Sequence, residues 1–404
     1  MDRPFIRRVR LRNYKSIAAC DVALGGLDFL VGRNGAGKSN FLNAISFVAD
    51  ALRGSLDLAL RERGSIEEVR RRSGGHPTHF TVRLDFELPS GETGLYGFSI
   101  GAKRRGGYVV QEERCDLPPP NGFGAGRNFH VRDGEMLQSS IRVPPVILTD
   151  RLFLVAASGL PEFRPVFDAL SRMVVYNINR RLIADVQQPD PGDLLRRDGS
   201  NAASVFQSLP SPLRQSVERT LASIVPGTEG IERRDFGGRE TLIFRQRTAG
   251  QADPWRFPAG SMSDGTLRAF GVLLAVAQLA RQDLDTQRPL LIGIEEPEVA
   301  LYPGAAATLL GALREGARSG QILISSHSPE LLDNADISAD QVLAVDSHDG
   351  MTRIGALDGA TQEALRDHLF TAGELLRQDQ LAPHLETTDG ADARQYRLFE
   401  PLGS

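Results

Sequence analysis

Residues 32–39 read Gly32-Arg33-Asn34-Gly35-Ala36-Gly37-Lys38-Ser39, and no other stretch limits the fold of this chain as tightly. The run fits G-x-x-x-x-G-K-[ST], the pattern of a loop that cradles phosphate. Its flanks agree. Leu27-Asp28-Phe29-Leu30-Val31 is short and apolar enough for a buried strand. Beyond it, Phe41, Leu42, Ala44, Ile45 and Val48 recur at helical spacing. Glycines at 32, 35 and 37 allow successive N–H groups to turn inward toward an anion. The helix that opens at Lys38 adds its positive end. Lys38 is placed to reach the β- and γ-phosphates, and the Ser39 hydroxyl to hold Mg²⁺. The octapeptide with Asn40 behind it is therefore the expected nucleotide-binding set, with a nucleoside triphosphate as ligand.

Bulk properties add boundaries. The 404 residues give room for two or three domains' worth of core, and a net charge of −4 gives no global attraction to nucleic acid or anionic lipid. Lysine stands only at 15, 38 and 103, so nearly every basic residue is arginine. Cys20 and Cys115 fit no metal or redox spacing. The opening Met-Asp-Arg-Pro-Phe-Ile-Arg-Arg holds no apolar run of signal-peptide type. The longest apolar stretch, 269–280, is too short to span a bilayer. These features point to a cytoplasmic protein with no membrane partner.

Patterning divides the chain into four spans. Residues 1–115 read as the first part of a nucleotide-binding head. That part contains strands near 6–11 and 27–31, the phosphate-loop helix and a short helix near 65–72. Period-two alternation over 79–88, 94–100 and 108–114 predicts an antiparallel meander. Residues 116–257 read as a mainly helical insertion: proline- and glycine-rich loop with short strands over 116–151, helices over 152–225 broken at 161, 189–191 and 210–212, and strands at 241–245 and 255–257. Residues 258–350 return to α/β patterning, with helices over 264–281, 304–318 and 328–333 and strands over 290–295 and 321–325. Residues 351–404 form a partly helical tail. The expected class is α/β: a mixed sheet with helices and an antiparallel meander. No repeat or long heptad run is present.

Because the core looks split, further nucleotide motifs belong in the second part. The apolar run Leu290–Ile294 ends in Glu295-Glu296-Pro297, as a buried strand does when it presents acids at its carboxyl end. In a Walker B arrangement Glu295 is the metal-side acid and Glu296 the group that orients the attacking water. Ile322–Ser326 is the next strand, and His327 follows it, within reach of a γ-phosphate or water. Ser263 caps a helix whose free N–H groups can bind phosphate. Read alone, each of these also has a plain account: a surface turn, a hydrogen-bonding histidine, a helix cap.

The order of these motifs resembles the ATP-binding cassette heads of the RecF, OLD and SMC group, closest to stand-alone ATPases without a coiled-coil arm. The resemblance rests on the phosphate loop, Ser263-Asp264-Gly265-Thr266-x-Arg268, Ile294-Glu295-Glu296-Pro297-Glu298 and Ser326-His327-Ser328-Pro329. Arg12-Asn13-Tyr14-Lys15-Ser16-Ile17 resembles that group's opening, which implies Lys15 near the nucleotide. Ser263 and Gly265 match the signature serine and second glycine, which implies contact with a γ-phosphate held by a second copy. Asp264 stands for a glycine, and Tyr302 stands where the D-loop usually has an acid or histidine. Gln111 is the candidate for a Q-loop. The resemblance implies ATP and Mg²⁺ as cofactors, homodimerisation on ATP binding, and Glu296, His327 and Lys38 as the catalytic set. It further implies work on DNA, in repair or phage defence, and room for a separate effector protein. No nuclease-type acidic constellation follows residue 350. The residues leave one alternative open: a non-hydrolysing nucleotide-sensing scaffold that switches a protein partner.

Overall fold

A computed structural model describes residues 4–73, 77–119, 124–250, 252–284, 287–334 and 336–384. The chain forms two compact units. Of the described residues, one comprises those of 4–173, 338–369 and 379–384, and the other those of 174–337 and 370–378.

The first unit is built on a mixed sheet. Its antiparallel part runs in space through Glu135–Ser139, Arg127–Arg132, Tyr108–Leu117, Thr93–Ala102, His79–Glu87, Ile6–Tyr14 and Ile17–Ala23. Met351–Ala356 then pairs parallel to Ile17–Ala23, and Val342–His348 lies antiparallel to it. Leu27–Val31 closes the series, parallel to Val342–His348. Every residue of Leu27–Val31 is buried, which explains its unbroken apolar reading. The phosphate-loop helix Lys38–Arg53 buries Phe41, Leu42, Ile45, Phe47 and Val48. Phe47 lies edge-on to Phe80 at 5.4 Å, and Phe80 edge-on to Tyr14 at 5.6 Å. The Tyr14 hydroxyl donates to Asn43 Oδ1 at 2.8 Å. Aromatic packing thus holds the nucleotide helix to the meander.

The second unit carries three parallel strands, in spatial order Gln321–Ser326, Leu291–Glu295 and Val174–Tyr176. Helix Asp264–Ala277 is buried along nearly its whole length, with Phe270 against Phe206 and Phe244. Helices Ser211–Ile224 and Pro303–Ala317 pack near it, and a separate antiparallel sheet comprises Thr228–Phe236, Arg239–Gln246 and Trp255–Pro258. No helix among the described residues is long and apolar enough to cross a membrane.

Several limits differ from the sequence reading. The boundary at 115/116 falls inside the strand Tyr108–Leu117, and the meander continues through two more strands to Ser139. Among its described residues the 116–257 span holds five α-helices, the short strands expected before 151, and the further strands Val174–Tyr176 and Thr228–Phe236. Three-residue strands such as Val174–Tyr176 are too short to show a period. Residues 258–350 divide between the units after Ile337, because Val342–His348 pairs with Leu27–Val31. Of the tail, Gly359–Arg366 and Ala372–Arg377 are helical, and 385–404 lie outside the described residues.

Two buried acids have consequences for stability. Asp28 is 1% exposed and accepts the Gly25 N–H at 2.8 Å; Glu113 is 1% exposed and accepts from Leu154 N–H at 2.9 Å and Tyr96 at 3.0 Å. Burial raises each carboxyl to about 7. Unfolded, they ionise near pH 4, at about 3.9 and 4.3. Between those limits the folded chain retains protons that the unfolded chain has released, so stability falls as pH rises. Asp28→Asn should therefore gain thermal midpoint relative to the native chain as pH goes from 5 to 8. A parallel pH dependence in the two proteins would show that the carboxyl is not desolvated.

Candidate functional site

The phosphate loop is shaped from below by the neighbouring strands. A Cβ on Gly32 would stand 1.9 Å from the Val345 carbonyl oxygen, and one on Gly37 would stand 2.1 Å from Thr352 Oγ1. Gly35 and Gly37 adopt φ of 80° and 109°, where side chains are strained. Arg33, Asn34 and Gly35 are exposed, while Gly32, Ala36 and Lys38 are buried. The Lys38 ammonium donates to the carbonyls of Gly32 at 2.7 Å and Arg33 at 2.9 Å, which brings it back over the loop.

A chain of hydroxyls holds the loop in this form. Thr352 Oγ1 donates to the Ala36 carbonyl at 2.8 Å. A hydroxyl has one proton, so in the 2.6 Å contact between Ser16 and Thr352 the donor is Ser16. Asn40 Nδ2 in turn donates to Ser16 Oγ at 2.6 Å. Lys15 occupies the tight turn next to Ser16, with φ 48°, and its N–H donates to Val69 O at 2.7 Å. Lys15, Asn40 and the octapeptide are therefore neighbours, linked through Ser16. Thr352 was not anticipated, because it lies 336 positions from Ser16 and belongs to no motif. The loop fits a phosphate: Gly32 and Gly37 keep the strand side close, a buried lysine lies over the loop, and an exposed Ser39 stands in the first turn of the helix. The Ser39 hydroxyl and the Glu295 carboxylate are hard oxygen donors of the kind Mg²⁺ accepts.

The acidic motif lies in the second unit. Leu291–Glu295 ends opposite Ser325, and the Glu296 N–H donates to Ser325 O at 2.9 Å. Glu296 has φ 45°, a left-handed conformation that costs a non-glycine residue roughly 1–3 kcal/mol. Arg268 holds this turn. It donates to Glu295 O at 2.7 Å, to Glu296 O at 2.9 and 3.1 Å, and to Ile178 O at 2.8 Å. Burial lowers the Arg268 pKa, opposed by the three nearby glutamates 298, 296 and 295.

His327 Nδ1 lies 3.0 Å from Glu296 Oε1, a distance suited to an ion pair when the ring is protonated. Both side chains are about one-third exposed. Glu298 is buried and accepts from Ser326 Oγ at 2.6 Å, and Ser326 Oγ accepts the Ser328 N–H at 3.1 Å. Burial raises the Glu298 pKa. The sequence quoted Glu298 and Arg268 within their motifs without giving either a task. Their backbone and hydroxyl partners exist only once the strands are adjacent.

Ser263 caps its helix as expected, accepting the Thr266 N–H at 3.2 Å. A Cβ on Gly265 would stand 2.3 Å from Ala300 O. Asp264 is exposed and pairs with Arg180. Tyr302 is exposed beside this stretch, at the start of Pro303–Ala317. Gln111, the Q-loop candidate, lies over Gly101 in the meander. The two groups of site residues thus fall into separate units: the phosphate loop with Lys15 in one, and Ser263, Gly265, Glu295, Glu296 and His327 in the other.

Comparison with known proteins adds four findings. The profile of the family described as "AAA domain, putative AbiEii toxin, Type IV TA system" matches residues 29–129 and 162–333. Structural maintenance of chromosomes protein 1 of Schizosaccharomyces pombe is 32% identical over 177 residues, 40% of this chain and 14% of that protein. The OLD nuclease of Thermus scotoductus is 24% identical over 352 residues, 81% of this chain and 60% of that enzyme. The chain therefore spans less than two thirds of either relative. A solved Smc head, bound to the C-winged helix domain of ScpA, superposes with a TM-score of 0.50 at 16% identity, over 89% of this chain and 99% of that one. The fold is that of such a head.

Arg268→Ala would leave three part-buried carbonyls short of a charged donor. It should lower stability by roughly 2–3 kcal/mol in urea unfolding. Arg268→Lys should recover only part of that loss, because an ammonium cannot span carbonyls from two elements as a guanidinium does. Full recovery by lysine would show that charge alone matters there.

Proposed function

As this chain belongs to the AAA-domain family of that description, a P-loop ATPase of RecF/OLD/SMC type, we propose that it binds ATP with Mg²⁺ and hydrolyses it. The phosphate loop binds the triphosphate through its backbone N–H groups and Lys38, and the helix that opens at Lys38 adds its positive end. Mg²⁺, when bound by Ser39 and Glu295, supplies charge neutralisation at the β- and γ-oxygens. Glu296 orients the attacking water, and His327 holds the γ-phosphate side. Such chemistry needs little beyond position and charge.

The observation that carries this reading is the Glu296 turn. A strained backbone turn gripped through its carbonyls by Arg268, with His327 Nδ1 3.0 Å from the Glu296 carboxylate, supports an acid whose main chain is placed before substrate arrives. A surface turn would have no need of that grip.

Ser263 is exposed at the helix start, with Gly265 buried directly behind it, and the resemblance makes this segment a signature that completes the site of a second copy. We therefore assign ATP-dependent homodimerisation as the output, coupled to a DNA-related process of repair or phage defence. A separate effector protein fits the same scheme, as the Smc head is bound to a domain of ScpA.

Turnover measured against protein concentration tests the scheme. The native chain should show a rate rising with the square of concentration. Glu296→Gln should bind ATP normally and lose at least about a hundredfold in turnover, the scale of a positioned general base. Lys38→Ala should lose binding itself. Tight ATP binding without turnover in the native chain would replace hydrolysis with the alternative, a nucleotide-sensing scaffold that switches a protein partner.

A further inference from the structure

The antiparallel sheet of the second unit ends in a hairpin that the nucleotide chemistry does not use. Strands Thr228–Phe236 and Arg239–Gln246 are joined by Gly237-Gly238, with φ of 57° and 79°. Positive φ at both central residues is the type I′ geometry, whose twist matches the strands it joins. A Cβ added to either glycine would meet nothing within 4 Å, so the turn stands clear of the rest of the chain. The glycines are needed for the turn and not for packing.

Pairing fixes what this tip presents. Phe236 is opposite Arg239, and Arg234 is opposite Thr241. Strand alternation therefore places Arg234, Phe236 and Arg239 on one face. Phe236 is 67% exposed, the guanidinium-bearing neighbours are exposed, and neither arginine has a side-chain partner among the described residues. Arg245 and Arg256 continue the same face, sharing one acid, Glu232, at 3.3 and 3.8 Å. The opposite face carries the neutralised pair: Arg233 binds the buried Glu240, which also accepts from Ser204 at 2.5 Å. One face thus holds four arginines against a single glutamate, in a chain whose net charge is −4.

We propose that this hairpin face is a docking surface for duplex DNA. The inference rests on the DNA-related reading above and gives it a location. Arg234 and Arg239 are diagonal cross-strand neighbours, roughly 7–8 Å apart at Cα, a spacing suited to successive phosphates on one strand. A two-stranded ribbon fits the major groove, and an exposed aromatic beside it can lie against sugars or bases. An acidic protein partner would need the charge but not a projecting phenylalanine on an uncluttered turn.

The test uses the full chain and a fluorescein-labelled duplex, with binding followed by anisotropy between 50 and 200 mM salt. The double variant Arg234→Gln/Arg239→Gln should bind at least about tenfold more weakly at low salt. Its log–log salt slope should shrink by about 2, the value for two lost phosphate contacts. Phe236→Ala should weaken binding about fivefold or more with the slope unchanged. ATP turnover without DNA and the thermal midpoint should stay at native values in both variants. If the native chain binds the duplex and the double variant matches it in affinity and slope, this surface is wrong and the DNA reading survives. If the native chain shows no salt-dependent binding, both fall. Loss of binding to an acidic protein with duplex binding intact would also overturn the proposal.

Discussion

A hydroxyl under the phosphate loop sets the geometry on which the nucleotide end depends. Thr352 donates to the Ala36 carbonyl, and its side chain fills the space a Cβ on Gly37 would need. The loop is therefore held on its lower side by a fixed donor. Ser16 and Asn40 complete the chain of donors, so the opening hairpin, the phosphate loop and the strand Met351–Ala356 share one hydrogen-bond direction. Removing any proton in that chain would leave an acceptor unmatched in a partly buried place, which is costly.

The acidic end follows a different principle. There the backbone, and not the side chains, is gripped. Arg268 directs its donors to the carbonyls of Glu295, Glu296 and Ile178. Glu298 and Ser326 fix the following strand end in a similar way, and His327 is carried on it. The strain at Glu296 is affordable because its neighbours over-determine the turn.

Much of this was legible in residues. The octapeptide, its buried strand and its helix gave the phosphate site, because glycine placement and helical period are local properties. The runs ending in Glu295-Glu296 and Ser326-His327 showed themselves as strands, because parallel strands buried on both faces leave an apolar signature. The meander was legible at its core, while the edge showed only as loop with short strands and not as its continuation. Arg127–Arg132 and Glu135–Ser139 sit behind a proline- and glycine-rich stretch and include exposed positions, so no alternation announces them. Val342–His348 and Met351–Ala356 were missed altogether, and with them the partners of Gly32 and Gly37.

The division has a physical cause. Sequence alone determined the motif residues, the element types around them and the resemblance that orders them, since each depends on neighbours within a few positions. Tertiary structure decided which atoms meet: Thr352 beneath Ala36, Arg268 behind Glu295 and Glu296, Ala300 against Gly265. Those contacts join residues separated by tens to hundreds of positions. They arise from strand order, and strand order is set by how the whole set of apolar faces is buried together, which no local window contains.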